Sequence, residues 1–186
     1  MASEAKKFPD LWVDPEDDPR AAAGSSATDE RSVLLDYLRH FRMTFELKCD
    51  GLDAEQMARR SVEPSTMSLL GLLRHLAHVE QVWFRITMEG NEIPRLWGKD
   101  QDRDADFDGA VADDAVVTEA WEAWRREVAH AEQFVDRAES LDVVSLHPTR
   151  DPITLRELLV HLIEEYARHC GHADLIRERI DGRTGQ

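Results

Sequence analysis

Residues 154–179 read Thr154-Leu-Arg-Glu157-Leu-Leu-Val-His161-Leu-Ile-Glu-Glu165-Tyr-Ala-Arg-His169-Cys-Gly-His172-Ala-Asp-Leu-Ile-Arg-Glu-Arg179. Thr154 and Glu157 have the spacing of a capping box, with Ile153 and Leu158 placed for a hydrophobic staple across it. Apolar residues then recur at helical spacing as far as Asp181-Gly182, so the pattern predicts a helix from Thr154 to about Arg179. Successive residues turn by about 100°, so with His161 at zero, His172, Glu165 and His169 fall at about 20°, 40° and 80°. Leu162, Ile180, Leu155, Tyr166 and Leu159 occupy about 100–160°. A strip of His, Glu, His and His therefore borders the apolar face. Unpaired, those groups lose hydration as the face is buried, and a bound cation removes that cost. Residues one turn apart can chelate one ion. Spacing alone leaves His161/Glu165, Glu165/His169 and His169/His172 open as the chelating pair.

Working outward, three further stretches read as helices. The first runs from about Asp29 to Lys48, with Thr28 or Asp29 as its cap and Gly51 beyond its end. The second runs from about Ser68 to Met88, ahead of Gly90 and Pro94, and the third from about Asp113 to Glu139. No strand-like alternation or glycine-rich nucleotide motif interrupts them. The expectation is an all-α four-helix bundle over residues 28–186, preceded by a mostly extended strap or tail over residues 1–27. In that strap Phe8, Leu11, Trp12 and Val13 form an apolar cluster able to dock on the body. A long connection joins the second and third helices, with Asp100, Asp102, Asp104, Asp106 and Asp108 inside it. It does not meet the EF-hand spacing, and it reads as a solvated acidic loop outside any site.

The 186 residues carry 23 basic and 38 acidic side chains, a formal charge of −15. That balance argues against nucleic acid and against anionic membrane surfaces. No apolar run is long enough to span a bilayer, and the N-terminus has no secretory h-region. Two cysteines, Cys49 and Cys170, are too few for a disulfide framework, so a cytoplasmic protein with reduced thiols is expected. Cys170 points about 100° from its neighbour His169 and reads as a small core residue.

On the second helix, with His75 at zero, Val79, Leu72, Trp83, Leu76 and Leu69 fall at about 40–120°, which puts His75 at the edge of the buried stripe. His78 falls near 300°, turned toward solvent or a neighbouring subunit. Arg74 and Arg168 read as solvated helix charges, with contact to an anionic substrate as the functional alternative. The tryptophans read as packing residues, Trp83 being the one on the His75 stripe.

Two segments resemble the DinB/YfiT-like metal-binding superfamily. One is Ser68-Leu-Leu-Gly-Leu-Leu-Arg-His75-Leu-Ala-His-Val-Glu80 with Trp83-Phe84 after it, and the other is Glu164-Glu165-Tyr-Ala-Arg-His169-Cys-Gly-His172-Ala-Asp-Leu. The resemblance implies a DinB-like four-helix bundle with His75, Glu165 and His169 as metal ligands. Glu165 stands where the commonest pattern has His, and in this the chain is closer to the mycothiol-dependent maleylpyruvate isomerases, an actinobacterial-type branch.

Two imidazoles and a carboxylate leave coordination positions open, as in catalytic rather than structural zinc sites. Zinc is the first choice, and nickel, iron or manganese suit the same ligands. The resemblance further implies a low-molecular-weight thiol such as mycothiol, used on an electrophilic small molecule in an S-transferase or isomerase reaction. His172 is placed as a base beside the metal or as an added ligand. A homodimer is the expected assembly. The competing reading is a non-catalytic dimeric bundle with a structural or vestigial metal site.

Overall fold

The computed structural model describes residues 11–21 and 28–185. Among them are six α-helices and no strand, so the all-α bundle is what the chain forms. Four long helices build it: α1 (Glu30–Cys49), α3 (Leu69–Glu80), α5 (Asp114–Arg137) and α6 (Leu155–Asp181). Two short ones were not foreseen, α2 (Ala54–Ala58) and α4 (Ala105–Asp108).

Each long helix starts where a side chain satisfies an otherwise unpaired N–H. Asp29 accepts from Ser32, Ser68 from Gly71, Asp113 from Ala115, and Thr154 and Glu157 form the reciprocal box. α6 stops at Gly182, whose φ of 76° is the left-handed cap that glycine adopts without a Cβ clash. α3 does not run on as an α-helix to Met88. From Gln81 to Met88 it widens into a π-helix, a form that apolar periodicity cannot distinguish from an α-helix.

α1 packs chiefly on α6, and α3 on α5. α3 is the central helix, buried on nearly every side, and eight of its twelve residues are apolar or glycine, the others being Arg74, His75, His78 and Glu80. One polar network ties the four long helices together. Glu80 Oε1 accepts from Arg42 Nε at 2.9 Å, Arg42 Nη2 at 2.7 Å and Tyr166 Oη at 2.8 Å, and Trp124 Nε1 donates to Tyr166 Oη at 2.8 Å. Glu80 is fully buried and Arg42 nearly so. Such a pair stands only while both charges are present, because either alone would be an uncompensated buried charge.

Of the apolar cluster in the N-terminal strap, Phe8 lies outside the described residues. Trp12 docks, and is 1% exposed. Its ring is flanked by Lys48 Nζ at 3.8 Å and Arg183 Cζ at 4.0 Å, and Arg183 Nη2 donates to Trp12 O. The strap thus closes over the C-terminal end of the chain.

Residues 89–113 fold back over α3 instead of standing off in solvent. α4 lies on α3 at Gly71, where an added Cβ would come within 2.8 Å of Phe107 Cδ1. Glycine in a helix costs roughly 0.5–1 kcal/mol relative to alanine, and here it permits that close approach. Three expectations change as a result. Asp106 is fully buried, so the acidic segment is not wholly solvated. His78, expected on an outward face, is buried too. Arg74 is not a solvated charge: it donates to Asp106 O and Ala105 O and lies 4.0 Å from the Trp97 ring. Each reversal has one cause, the covering of α3 by the connection.

Candidate metal centre

His75 reaches the site from α3, and Glu165 and His169 reach it from successive turns of α6. His75 Nε2 lies 3.7 Å and His169 Nε2 3.4 Å from the same oxygen, Glu165 Oε2. One ligand atom from each of the three residues falls within 4.8 Å of the others. Tetrahedral coordination with bonds of about 2.1 Å spaces ligand atoms by about 3.4 Å, close to the two separations from Glu165 Oε2. His161 instead stacks edge-on against Trp83, with ring centroids 4.8 Å apart. Of the pairs that spacing left open, Glu165/His169 is the one that meets His75.

The nitrogens that face away from the cluster have their own partners. His75 Nδ1 lies 3.0 Å from Asp106 Oδ2, and His169 Nδ1 lies 3.2 Å from His172 Nδ1. Asp106 can only accept, so His75 carries its proton on Nδ1 and presents a lone pair at Nε2. His172 Nδ1 can accept or donate in its contact with His169; with the proton on His169 Nδ1, His169 Nε2 presents a lone pair as well. Two lone pairs and a carboxylate oxygen then converge on one point, which suits a cation. By the chemistry of its donors and by their spacing, the cluster fits a divalent ion.

Electrostatics favour the ligand forms of Glu165 and His169; for His75, burial lowers the imidazole but hydrogen bonds to Asp106 and Glu165 outweigh it and raise it, which favours its protonated form. Burial opposes ionisation of Asp106, but hydrogen bonds from His75 and Lys99 outweigh it and hold the carboxyl at about 2. His75 facing Glu165 holds that carboxyl at about 2 as well. Burial, reinforced by the nearby His75, lowers His169 to about 4. At neutral pH both carboxylates are ionised and His169 is neutral. Lys99 Nζ sits 2.7 Å from Asp106 Oδ2, and the Phe107 ring stacks on His75 at 5.5 Å.

Asp106, Lys99 and Phe107 were not singled out from the sequence. The available signal was Phe107 itself, one aromatic residue inside an aspartate run, which a fully solvated loop does not need. His172 does not join the three converging atoms; its bond runs to the back of His169. Arg168 is exposed, and Cys170 is buried with Sγ directed to Phe41 O at 3.5 Å. Burial pushes the Cys170 thiol up to about 12.

A cavity of about 400 Å³ opens beside the cluster, with His75, Glu165, Trp83 and Lys99 among its walls. The all-α bundle is of the DinB-like class, and it sets a His, Glu, His cluster between two of its long helices, next to a cavity. The model of the mycothiol-S-transferase family matches residues 33–182, from the first turn of α1 to the glycine that ends α6. The chain belongs to that family. No curated protein and no solved structure matches it.

Proposed function

We propose that this protein is a divalent-metal-dependent S-transferase that joins a low-molecular-weight thiol, mycothiol by family, to an electrophilic small molecule. The observation that carries the reading is the convergence of His75 Nε2 and His169 Nε2 on Glu165 Oε2 at the wall of a cavity. His75, Glu165 and His169 hold the ion, zinc being the first choice for this ligand set and nickel, iron or manganese the alternatives. What such an ion supplies is a lowered pKa for a bound thiol, so that its sulfur is nucleophilic at neutral pH.

The chain's own groups do the rest. Asp106 fixes the tautomer and ring orientation of His75, and Lys99 keeps that carboxylate charged. His172 takes the Nδ1 proton of His169 in a hydrogen bond and so turns the other nitrogen toward the site; we assign it this positioning role. Phe107 covers one face of His75 and keeps water from it. No helix among the described residues is long and apolar enough to cross a membrane, in keeping with a small-molecule enzyme. The homodimer expectation belongs to the same reading, and sedimentation tests it.

The test is turnover of mycothiol with an electrophile panel by metal-loaded protein beside the His75→Ala and Glu165→Gln variants. Metal-dependent conjugation lost in both variants is the expected result. A metal-loaded protein inert toward the whole panel would favour the non-catalytic bundle.

A further inference from the structure

We propose that the cavity beside the cluster binds a carboxylate through Arg95, Lys99 and Arg103, so that the electrophile taken by this chain is an anionic one. The inference rests on the transferase reading and adds the substrate class. In a chain with a formal charge of −15, the cavity lining includes these three cations together with the apolar Val79, Val82 and Trp83. The acidic residues on the walls are Asp104 and Glu165, and Glu165 is engaged with the two histidines. An apolar cleft with a few placed charges is the usual form of a small-molecule site.

The cations differ in what they have left to offer. Lys99 Nζ is engaged with Asp106 Oδ2 at 2.7 Å and Arg103 O at 2.6 Å, so it contributes mainly its field. Among the described residues, the Arg95 side chain has one ion pair, Nε to Asp100 Oδ1 at 3.5 Å. The Arg103 guanidinium makes no ion pair or hydrogen bond among the described residues. Two guanidinium forks with unused donors match a carboxylate better than ammonium groups do.

The segment that carries Arg95 and Lys99 is held in place. Gln81, at the start of the π-helix, donates to Pro94 O at 3.3 Å and accepts from Leu96 N at 2.9 Å. Trp97 Nε1 donates to Arg74 O at 2.8 Å. Trp97 has a φ of 63°, in the left-handed region that a bulky residue enters at a cost, and such strain persists only where surrounding contacts over-determine it. His78 supplies the second observation. It lines the same cavity, is 7% exposed, and its Nδ1 has no hydrogen-bond partner. Mycothiol carries no acidic group besides its sulfhydryl, so the anion these groups suit is the electrophile.

The test uses metal-loaded protein, mycothiol, and two aryl chlorides that differ in one group, 4-chloro-3-nitrobenzoate and 4-chloro-3-nitrobenzamide. In both, an S–C bond forms as C–Cl breaks, chloride leaves with the electron pair, and the thiol proton passes to buffer. Each kcat/KM is divided by its own uncatalysed rate, and binding of each compound is measured separately by calorimetry. We expect the benzoate to be preferred by about tenfold in binding, the preference to fall to near one in Arg95→Gln/Arg103→Gln, and Arg103→Lys to keep part of it. Should the double variant lose its helical circular dichroism, Arg103→Gln alone decides, because that side chain is exposed and unpaired. Equal binding of the two compounds, or a preference that survives the substitutions, overturns the inference. If neither compound is turned over, the binding preference still decides the anion site, and the wider electrophile panel decides the transferase reading.

Discussion

Asp106 lies with Oδ2 3.0 Å from His75 Nδ1, so a residue of the acidic connection orients a histidine of the central helix. The carboxylate is fully buried and shared with Lys99. This links the least regular part of the chain to the candidate metal centre.

Replacing Asp106 by Asn keeps the volume and removes the charge. Loss of a carboxylate behind a ligating histidine weakens metal binding by roughly 10–100-fold. Competition with a chromogenic chelator measures it. The expected outcome is that loss with helix content unchanged.

Gly71→Ala tests how α4 is seated. The new methyl would meet Phe107 Cδ1 at 2.8 Å, and Phe107 is stacked on His75. Overpacking of this kind costs about 1–3 kcal/mol. Urea denaturation is expected to show that loss, and metal affinity is expected to fall with it although no ligand has changed.

Glu80→Ala should cost about 3–5 kcal/mol, because the buried Arg42 loses its hydrogen-bonded partner and keeps only the half-exposed Glu132 at 3.7 Å. The readout is the urea midpoint. Glu80 makes no hydrogen bond or ion pair with His75, Glu165 or His169, so metal stoichiometry in the folded variant is expected to be that of the parent protein.

His78 makes stability depend on pH. Burial, helped by the charge of Lys99 and opposed by Asp106, lowers this imidazole from 6.5 to about 4. Between those values the unfolded chain binds the proton that the folded chain excludes. Stability from His78 is therefore complete above pH 6.5 and is lost as pH falls toward 4, by up to about 1.4 kcal/mol per pH unit. Denaturation at a series of pH values should show a shallower acid-side slope in His78→Gln; an unchanged slope would contradict the assignment.

With its thiol pushed up to about 12 by burial, Cys170 is expected to resist alkylation at pH 7.5 until the protein is unfolded. Mass spectrometry after iodoacetamide treatment, native against denatured, checks this.

The long helices were legible because their signals are local: a cap, a period and a stop within one segment, as at Thr154, Glu157 and Gly182. The strip on α6 and the edge position of His75 were legible for the same reason. What the sequence hid depends on tertiary covering. A helical wheel places His78 and Arg74 on α3 but not the connection that folds over them, so it turns His78 toward solvent or a neighbouring subunit and leaves Arg74 a solvated charge. Asp106 has neighbours identical in type, and only its position under α3 separates it from Asp102 or Asp104. The π-helix keeps an apolar pattern similar to that of an α-helix and leaves no separate mark. The Arg42–Glu80–Tyr166–Trp124 network joins residues 38 to 86 positions apart for its carboxylate contacts, a separation no spacing rule reaches.

The central claim is that His75, Glu165 and His169 hold one divalent ion. Elemental analysis of protein purified without an affinity tag, joined to X-ray absorption at the edge of the metal found, tests it most directly. About one equivalent of metal with nitrogen and oxygen ligands near 2.0–2.2 Å is expected, lost in His75→Ala and in Glu165→Gln. Protein that binds no divalent metal, or that retains it fully in both variants, would contradict the account.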